Sequence, residues 1–122
     1  MHVSMTVPTD SLDSVRTLYP ELERVGYDRA FSFEAKHDPF LPLATAAEHT
    51  ESIELGTAIA IAFARTPMTL ANIGWDLQTL TRGRFVLGLG SQIAPHILQR
   101  FSMPWSDPAA RMRELVLGIR AI

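Results

Sequence analysis

The chain has 122 residues, of which 47% are hydrophobic and 20% charged, a balance that indicates one folded domain over residues 1–122 and excludes a disordered segment. A formal net charge of −2 argues against a nucleic-acid or anionic-membrane partner. The sequence contains no cysteine, which excludes disulfides and thiol chemistry and fits a cytoplasmic protein. The first ten residues do not resemble a signal peptide, and no apolar run reaches the roughly 18 residues that a membrane span needs, so we expect no membrane partner.

The N-terminal segment predicts a strand followed by a helix. Residues 1–7 are largely apolar and precede a proline, which is typical of a strand end. Asp10 or Ser11 can cap the next helix. We predict that Pro20 kinks or breaks this helix and that Gly26 ends it. Apolar residues recur along it every three or four positions and predict its buried face: Leu12, Val15, Leu18, Leu22 and Val25.

The next segment repeats the strand and helix pattern. Residues 29–34 predict the second strand. Asp38 followed by Pro39 is a helix start, and we expect this helix to run to about His49. Residues 53–62 are almost continuously apolar, as in a strand of a parallel sheet that is covered on both faces. They predict the third strand.

Two more helices and one strand complete the pattern. Thr66, followed by proline, opens the third helix, and Gly83 ends it. Residues 84–89 predict the fourth strand, and Asp107 opens the fourth helix. The predicted inner face of the third helix consists of Leu70, Ile73, Leu77 and Leu80. The apolar stripe of the fourth consists of Met112, Leu115, Val116, Ile119 and Ile122.

Strand and helix alternate four times with short connections, which predicts a parallel sheet with right-handed crossovers. Three stretches, "KHDPFLPLATAAE" (residues 36–48), "LGTAIAIAFARTPMTLA" (55–71) and "GRFVLGLGSQ" (83–92), carry a family resemblance. The chain resembles the N-terminal half of the bacterial luciferase-like monooxygenases, and is most similar to the branch that uses the deazaflavin coenzyme F-420. The resemblance implies an α/β fold that is half of a TIM (β/α)8 barrel, with four parallel β/α units forming a truncated barrel domain.

The glycines of "GLGS" predict a loop in which the backbone can approach a ligand and free amides can hold an anion. Ile93 occupies the place of the third glycine of a dinucleotide fingerprint, so a Rossmann site is only weakly supported. The resemblance implies that Gly90 and Ser91 line the face of a flavin or deazaflavin ring. The alternative is a tight turn between strand and helix.

The third predicted strand contains a second site that the resemblance implies. Family members carry a bulge there, with a non-proline cis peptide that backs the ring. Position by position, that bond falls between Ala58 and Ile59. The alternative is an ordinary buried strand, because these residue types alone give no sign of a cis bond.

Glu34 and His37 lie at the carboxyl end of the second strand, which is the catalytic face of such barrels. The resemblance places Glu34 among the cofactor-binding residues. Family members often have a histidine directly after this acidic residue, but this chain has Ala35. His37, two residues later, is the candidate for proton transfer near neutral pH if the loop turns it inward. The alternative is a solvated residue before a helix.

His96 follows the fourth strand. The resemblance implies that a polar side chain at this position hydrogen-bonds the cofactor, and the alternative is a histidine on a surface loop. Glu34, His37 and His96 have no spacing typical of a metal site, so we expect no metal.

These residues predict an oxidoreductase that transfers hydride between coenzyme F-420 and a small organic substrate. The first alternative is an FMN-dependent monooxygenase. The second is a non-catalytic half-barrel that needs a partner or pairs with a second copy as a homodimer, since a half-barrel exposes strand edges. A metal-dependent hydrolase ranks last.

Overall fold

The strands lie parallel to one another in the computed structural model, which describes residues 2–122. A four-stranded sheet has the order β1 (Ser4–Thr6), β2 (Arg29–Ser32), β3 (Glu54–Thr57) and β5 (Phe85–Val86). A two-stranded parallel sheet pairs β4 (Ala60–Ile61) with β6 (Leu89–Gly90). The α-helices are α1 (Leu12–Arg24), α2 (Phe40–Ala47), α3 (Pro67–Leu80) and α4 (Pro108–Ala121). A 3-10 turn spans Ala62–Ala64 and a π-helical turn spans His96–Arg100.

The predicted third and fourth strands each divide into two short strands. Residues 53–62 form β3 and β4, and residues 84–89 contribute to β5 and β6. The four-stranded sheet ends at the first member of each pair, and the second members pair only with each other. The first strand also begins later than predicted, at Ser4, and Met1 lies outside the described residues. The prediction of four parallel β/α units is confirmed.

Three of the four predicted helix starts are confirmed, and α2 begins at Phe40, one residue later than predicted. Ser11 Oγ accepts from the Ser14 amide at 3.2 Å, and Thr66 and Asp107 cap α3 and α4 in the same way. Asp38 Oδ1 accepts from the amides of residues 40 and 41 at 2.8 and 3.2 Å. These caps are local, because each side chain satisfies an amide two or three residues ahead.

Of the predicted kink or break at Pro20, the break does not occur, since α1 runs without interruption from Leu12 to Arg24. The carbonyl that Pro20 leaves without an amide partner belongs to Arg16, an exposed residue, so water can satisfy it. Gly26 follows the helix with a φ of +92°, a conformation that suits glycine at a helix end, as predicted.

The helices cover one face of the sheet and form the core with it. Its largest fully buried side chains include Tyr19, Leu43, Leu55, Phe63 and Leu70. Four side chains that we predicted on buried helical faces are instead 43–61% exposed: Leu12, Val25, Leu80 and Ile122. Each lies at the first or last turn of its helix or just beyond it. In the described part of the chain, no helix is both long and apolar enough to cross a membrane.

The opposite face of the sheet is open. Burial alternates along β2: Ala30 and Ser32 are buried under the helices, whereas Arg29 and Phe31 are half-buried on the other face. Phe31 is in register with Gly56 of β3, which is in register with Val86 of β5. In a closed barrel this face would point toward the barrel axis.

Glu23 at the end of α1 holds the turn that leads into β3. Its Oε1 accepts from the Ser52 amide, the Ser52 hydroxyl and the Ile53 amide at 2.5, 2.8 and 2.7 Å. Burial opposes ionisation of this carboxyl, but the hydrogen bonds from residues 51–53 outweigh it and lower the pKa of Glu23 to about 2.

Glu23 therefore makes the stability of the fold sensitive to acid. Its folded pKa is about 2 against an ordinary value of 4.5, so its contribution is complete above pH 4.5 and is lost as pH falls toward 2. We expect Glu23→Gln to lower the free energy of unfolding at pH 7 by about 1–2 kcal/mol, discounted from the full shift because the carboxylate is partly solvated. The variant should also lose less stability than the wild type between pH 4.5 and 2.

Urea denaturation at pH 7, 4 and 3 measures both effects. Glu48→Gln is the matched control, because Glu48 is an exposed carboxylate and its loss should change the free energy of unfolding by less than about 0.5 kcal/mol. An equal loss of stability in acid for wild type and Glu23→Gln would contradict the assignment.

Candidate functional site

The carboxyl ends of the parallel strands carry nearly all the predicted site residues. The segment from the last residue of β3 to the end of β4 (residues 57–61, hereafter the platform segment) contains a cis peptide bond between Ala58 and Ile59, at the position predicted from the resemblance. Ala58 is exposed and Ile59 is half-buried, whereas residues 57, 60 and 61 are buried. The Ala58–Ile59 peptide therefore lies at the edge of the sheet, between buried residues that precede and follow it in the chain.

Thr57 and Gly88 bring the two divided strands together. The Thr57 hydroxyl donates to the Gly88 carbonyl at 2.7 Å and accepts from the Gly88 amide at 2.9 Å. The Gly88 carbonyl also accepts from the Ala60 amide at 2.9 Å. A Cβ at residue 88 would lie 1.9 Å from the Thr57 carbonyl oxygen. Gly88 therefore allows two strands to approach each other, where the sequence predicted an approach to a ligand.

Gly90 and Ile59 lie side by side. A Cβ at residue 90 would lie 2.8 Å from Cδ1 and Cγ1 of Ile59. Gly90 is in register with Ile61, so β6 extends along the platform segment. Ser91 follows as a half-buried residue whose hydroxyl donates to the Gln92 carbonyl at 3.1 Å. The structure thus brings together four of the predicted cofactor-binding residues: Ala58, Ile59, Gly90 and Ser91.

Glu34 is also joined to this group, through bonds within the protein. Its amide donates to the Ile59 carbonyl at 3.1 Å, and its Oε2 accepts from the Ile61 amide at 2.7 Å. Arg65 donates to both carboxylate oxygens, at 2.6 and 3.1 Å. With the Glu34 side chain only 7% exposed, its carboxylate is occupied by protein donors.

His37 is exposed in the loop between β2 and α2. With Thr9 and Asp10 after β1, and with Asp38 and Leu41, it lines a cleft of about 270 Å³ at the carboxyl ends of the first two strands. The loop turns His37 toward this cleft and away from the core. An accessible imidazole at the carboxyl edge can exchange protons with a molecule bound there.

His96 is exposed and begins the π-helical turn. Arg100, at the other end of that turn, donates a hydrogen bond to the Ala35 carbonyl in the loop after β2. The π-helical turn, which follows β6, is therefore hydrogen-bonded to the loop that contains His37. The hydrogen bond holds the two loops on which the two predicted histidines lie.

Sequence reasoning missed Arg65 and Arg100. Arg65 is the first charged residue after the long apolar run of β3 and β4, and its side chain is 14% exposed. A cation directly after a buried strand is a signal for a buried acidic partner, and Glu34 is the matching acid after the neighbouring strand. Arg100 gives no such signal, because its partner is a backbone carbonyl 65 residues earlier.

Comparison with known sequences shows relatives among actinobacteria. An uncharacterised protein of Mycobacterium tuberculosis is 65% identical over 101 residues, which are 83% of this chain and 30% of the relative. A second M. tuberculosis protein, named provisionally as a coenzyme F-420-dependent oxidoreductase, is 33% identical over 102 residues, which are 82% of this chain and 29% of the relative. The chain thus spans less than a third of the length of these relatives.

Solved structures share the fold. A monooxygenase from Streptomyces bottropensis superposes with a TM-score of 0.85 at 22% identity, over 98% of this chain and 42% of the other. The oxygenating constituent of 3,6-diketocamphane monooxygenase from Pseudomonas putida, in complex with FMN, gives a TM-score of 0.82 at 19% identity, over 96% of this chain and 38% of the other. The predicted partial TIM barrel is confirmed. Because the model of the luciferase-like monooxygenases matches residues 1–122, the chain belongs to that family.

Proposed function

We propose that this chain forms the ring-binding part of an oxidoreductase that transfers hydride between coenzyme F-420 and a small organic substrate. The observation that carries the proposal is the exposed Ala58–Ile59 peptide beside Gly90 at the carboxyl edge of the strands. The relative named as an F-420-dependent oxidoreductase supports the choice of cofactor.

The residues at the edge fit a flat, largely apolar ring. Ala58 is exposed and Ile59 half-buried, both are apolar, and Gly90 adds no side chain next to them. Ser91 and His96 would supply polar contacts at the rim. When bound, a deazaflavin supplies a carbon that accepts or donates hydride, and the protein supplies position and a proton path.

His37 is the proposed proton-transfer residue. Its imidazole is exposed in the cleft at the ends of β1 and β2, and Ala35 stands two residues before it without a side chain that could take the same role. We propose that His37 donates a proton to, or accepts one from, a substrate bound in this cleft.

An FMN-dependent monooxygenase is the second candidate. The structurally similar oxygenating constituent was solved with FMN, and the same edge residues suit a flavin ring. Further proposals are a cytoplasmic location and a homodimer in which two copies pair their exposed strand edges. Light scattering would give the mass in solution, and a monomer would count against the homodimer.

The decisive test is a titration of the purified chain with coenzyme F-420 and, separately, with FMN, followed by the fluorescence of each. We expect saturable binding in the micromolar range, about −8 kcal/mol, with F-420 preferred. Gly90→Val places a branched side chain against Ile59 and should weaken binding at least tenfold, whereas Gly74→Ala, on α3, should not. If neither ring binds, the chain is a non-catalytic half-barrel that needs a partner.

A further inference from the structure

Glu34 is hydrogen-bonded to the platform segment on both sides of Ala60. Its backbone amide donates to the Ile59 carbonyl at 3.1 Å, and its carboxylate accepts from the Ile61 amide at 2.7 Å. These two bonds join the loop after β2 to the segment that carries the exposed peptide. A movement of Glu34 would therefore move Ile59 and Ile61 with it.

Arg65 forms further hydrogen bonds, both to Glu34 and to the end of the platform segment. Its Nη1 donates to the Ile61 carbonyl at 3.0 Å as well as to Glu34, and its Nη2 donates to Glu34 and, at 3.2 Å, to Asp38 Oδ2. Its guanidinium also lies over the Phe40 ring, 5.2 Å from the centroid. One side chain thus connects the platform segment to β2 and to the start of α2.

The burial of this pair and its bonds within the protein favour a supporting role over direct ligand binding. The Glu34 and Arg65 side chains are 7% and 14% exposed, and both carboxylate oxygens are occupied by Arg65 or by the Ile61 amide. A carboxylate buried to this extent is strongly destabilising without a partner, so a ligand that took Arg65 from it would bind poorly. The hydrogen bonds of the pair and the cost of an unpaired buried carboxylate both favour contacts within the protein.

We infer that Glu34 and Arg65 are positioning residues, which set the height and orientation of the Ala58–Ile59 peptide at the edge, and that Glu34 does not contact the cofactor. This inference rests on the proposed function only for the identity of what the peptide supports. It moves Glu34 from the ring-binding residues, where the resemblance placed it, to the support beneath them.

Native-state amide exchange in the whole chain reports how often the platform segment opens locally, and the measurement needs no cofactor. The observable is the exchange rate of the Ile61 amide divided by that of the Leu55 amide, which bonds to Arg84 in the sheet and reports overall stability. The variant is Glu34→Gln, which keeps the shape of the side chain but removes its charge. Glu54→Gln is the matched control, because Glu54 also pairs with an arginine across two strands, at 2.7 Å, but is 33% exposed and lies at the amino end of β3.

We expect Glu34→Gln to raise the Ile61-to-Leu55 ratio about tenfold and to weaken the affinity for F-420 or FMN by a similar factor, as the loss of a charge-assisted hydrogen bond implies. Glu54→Gln should change neither. Arg65→Lys, which keeps the charge but not the forked geometry, should give an intermediate rise and serves as the second variant if Glu34→Gln does not fold.

Two results would overturn the inference. An unchanged Ile61-to-Leu55 exchange ratio in both variants would show that the pair does not hold the segment. If the variants also bound the ring more weakly, Glu34 would be a direct ligand of the ring. A raised exchange ratio together with wild-type affinity for the ring would show that the pair holds the segment but does not affect ring binding. If the wild-type chain binds neither ring, the proposed function fails for this chain, while the exchange ratio still decides whether the pair positions the segment.

Discussion

Gly88→Ala should lower the free energy of unfolding by about 3–5 kcal/mol or prevent folding, which places it among the most damaging single changes in this chain. The added Cβ would lie 1.9 Å from the Thr57 carbonyl oxygen, which is a backbone atom and cannot rotate away. The strands must then separate, and the hydrogen bonds that join residue 88 to Thr57 and Ala60 weaken together. Urea denaturation followed by circular dichroism measures the loss.

Gly74→Ala is the matched control for that substitution. Gly74 lies inside α3, and a Cβ there would meet only the Leu87 side chain, at an ordinary 3.8 Å. Alanine should therefore stabilise the fold by about 0.5–1 kcal/mol, because it favours the helix. A Gly88→Ala variant within 1 kcal/mol of the wild type would contradict a close approach of residue 88 to the Thr57 carbonyl.

Arg65→Met is expected to cost about 3–5 kcal/mol, because it leaves the Glu34 carboxylate buried with the Ile61 amide as its remaining donor. Methionine fills a similar volume, so the loss would come from the uncompensated charge and not from a cavity. The measurement is again the free energy of unfolding from urea denaturation at pH 7.

Arg29→Met tests whether burial is the cause. Arg29 pairs with Glu54 at 2.7 Å, but the two side chains are 42% and 33% exposed, so water can solvate the carboxylate that remains. Its loss should cost less than about 1 kcal/mol. Equal costs for the two arginine variants would contradict a role for burial at Glu34.

The elements and their order could be predicted from the sequence because their signals are local. Ser11, Asp38, Thr66 and Asp107 each cap the helix that follows them, through amides two or three residues ahead. Apolar spacing then identified the helices, and the long apolar run identified a buried parallel strand. The exposed Leu12, Val25, Leu80 and Ile122 show the limit of spacing, which does not reveal how far burial reaches toward the ends of a helix.

The candidate site was predicted in part, and through the family resemblance more than through residue types. Ala58, Ile59 and Gly90 do lie together, yet nothing in an alanine or an isoleucine indicates a cis peptide. Gly88 lies against a neighbouring strand, and a glycine beside another strand and a glycine beside a ligand look the same in a sequence. The ring-binding and proton-transfer roles of the predicted residues stay predictions.

By itself, the sequence determined the alternation of strands and helices and the helix starts, because these depend on neighbours a few residues apart. The family was indicated by the resemblance of three stretches. Tertiary structure alone decided the division of the long strands, the Glu34–Arg65 pair 31 residues apart in the chain and the contact of Arg100 with Ala35. The physical reason is that a buried charge or a close strand approach is stable only when a distant segment supplies the partner atom. The position of that atom depends on how all the units pack.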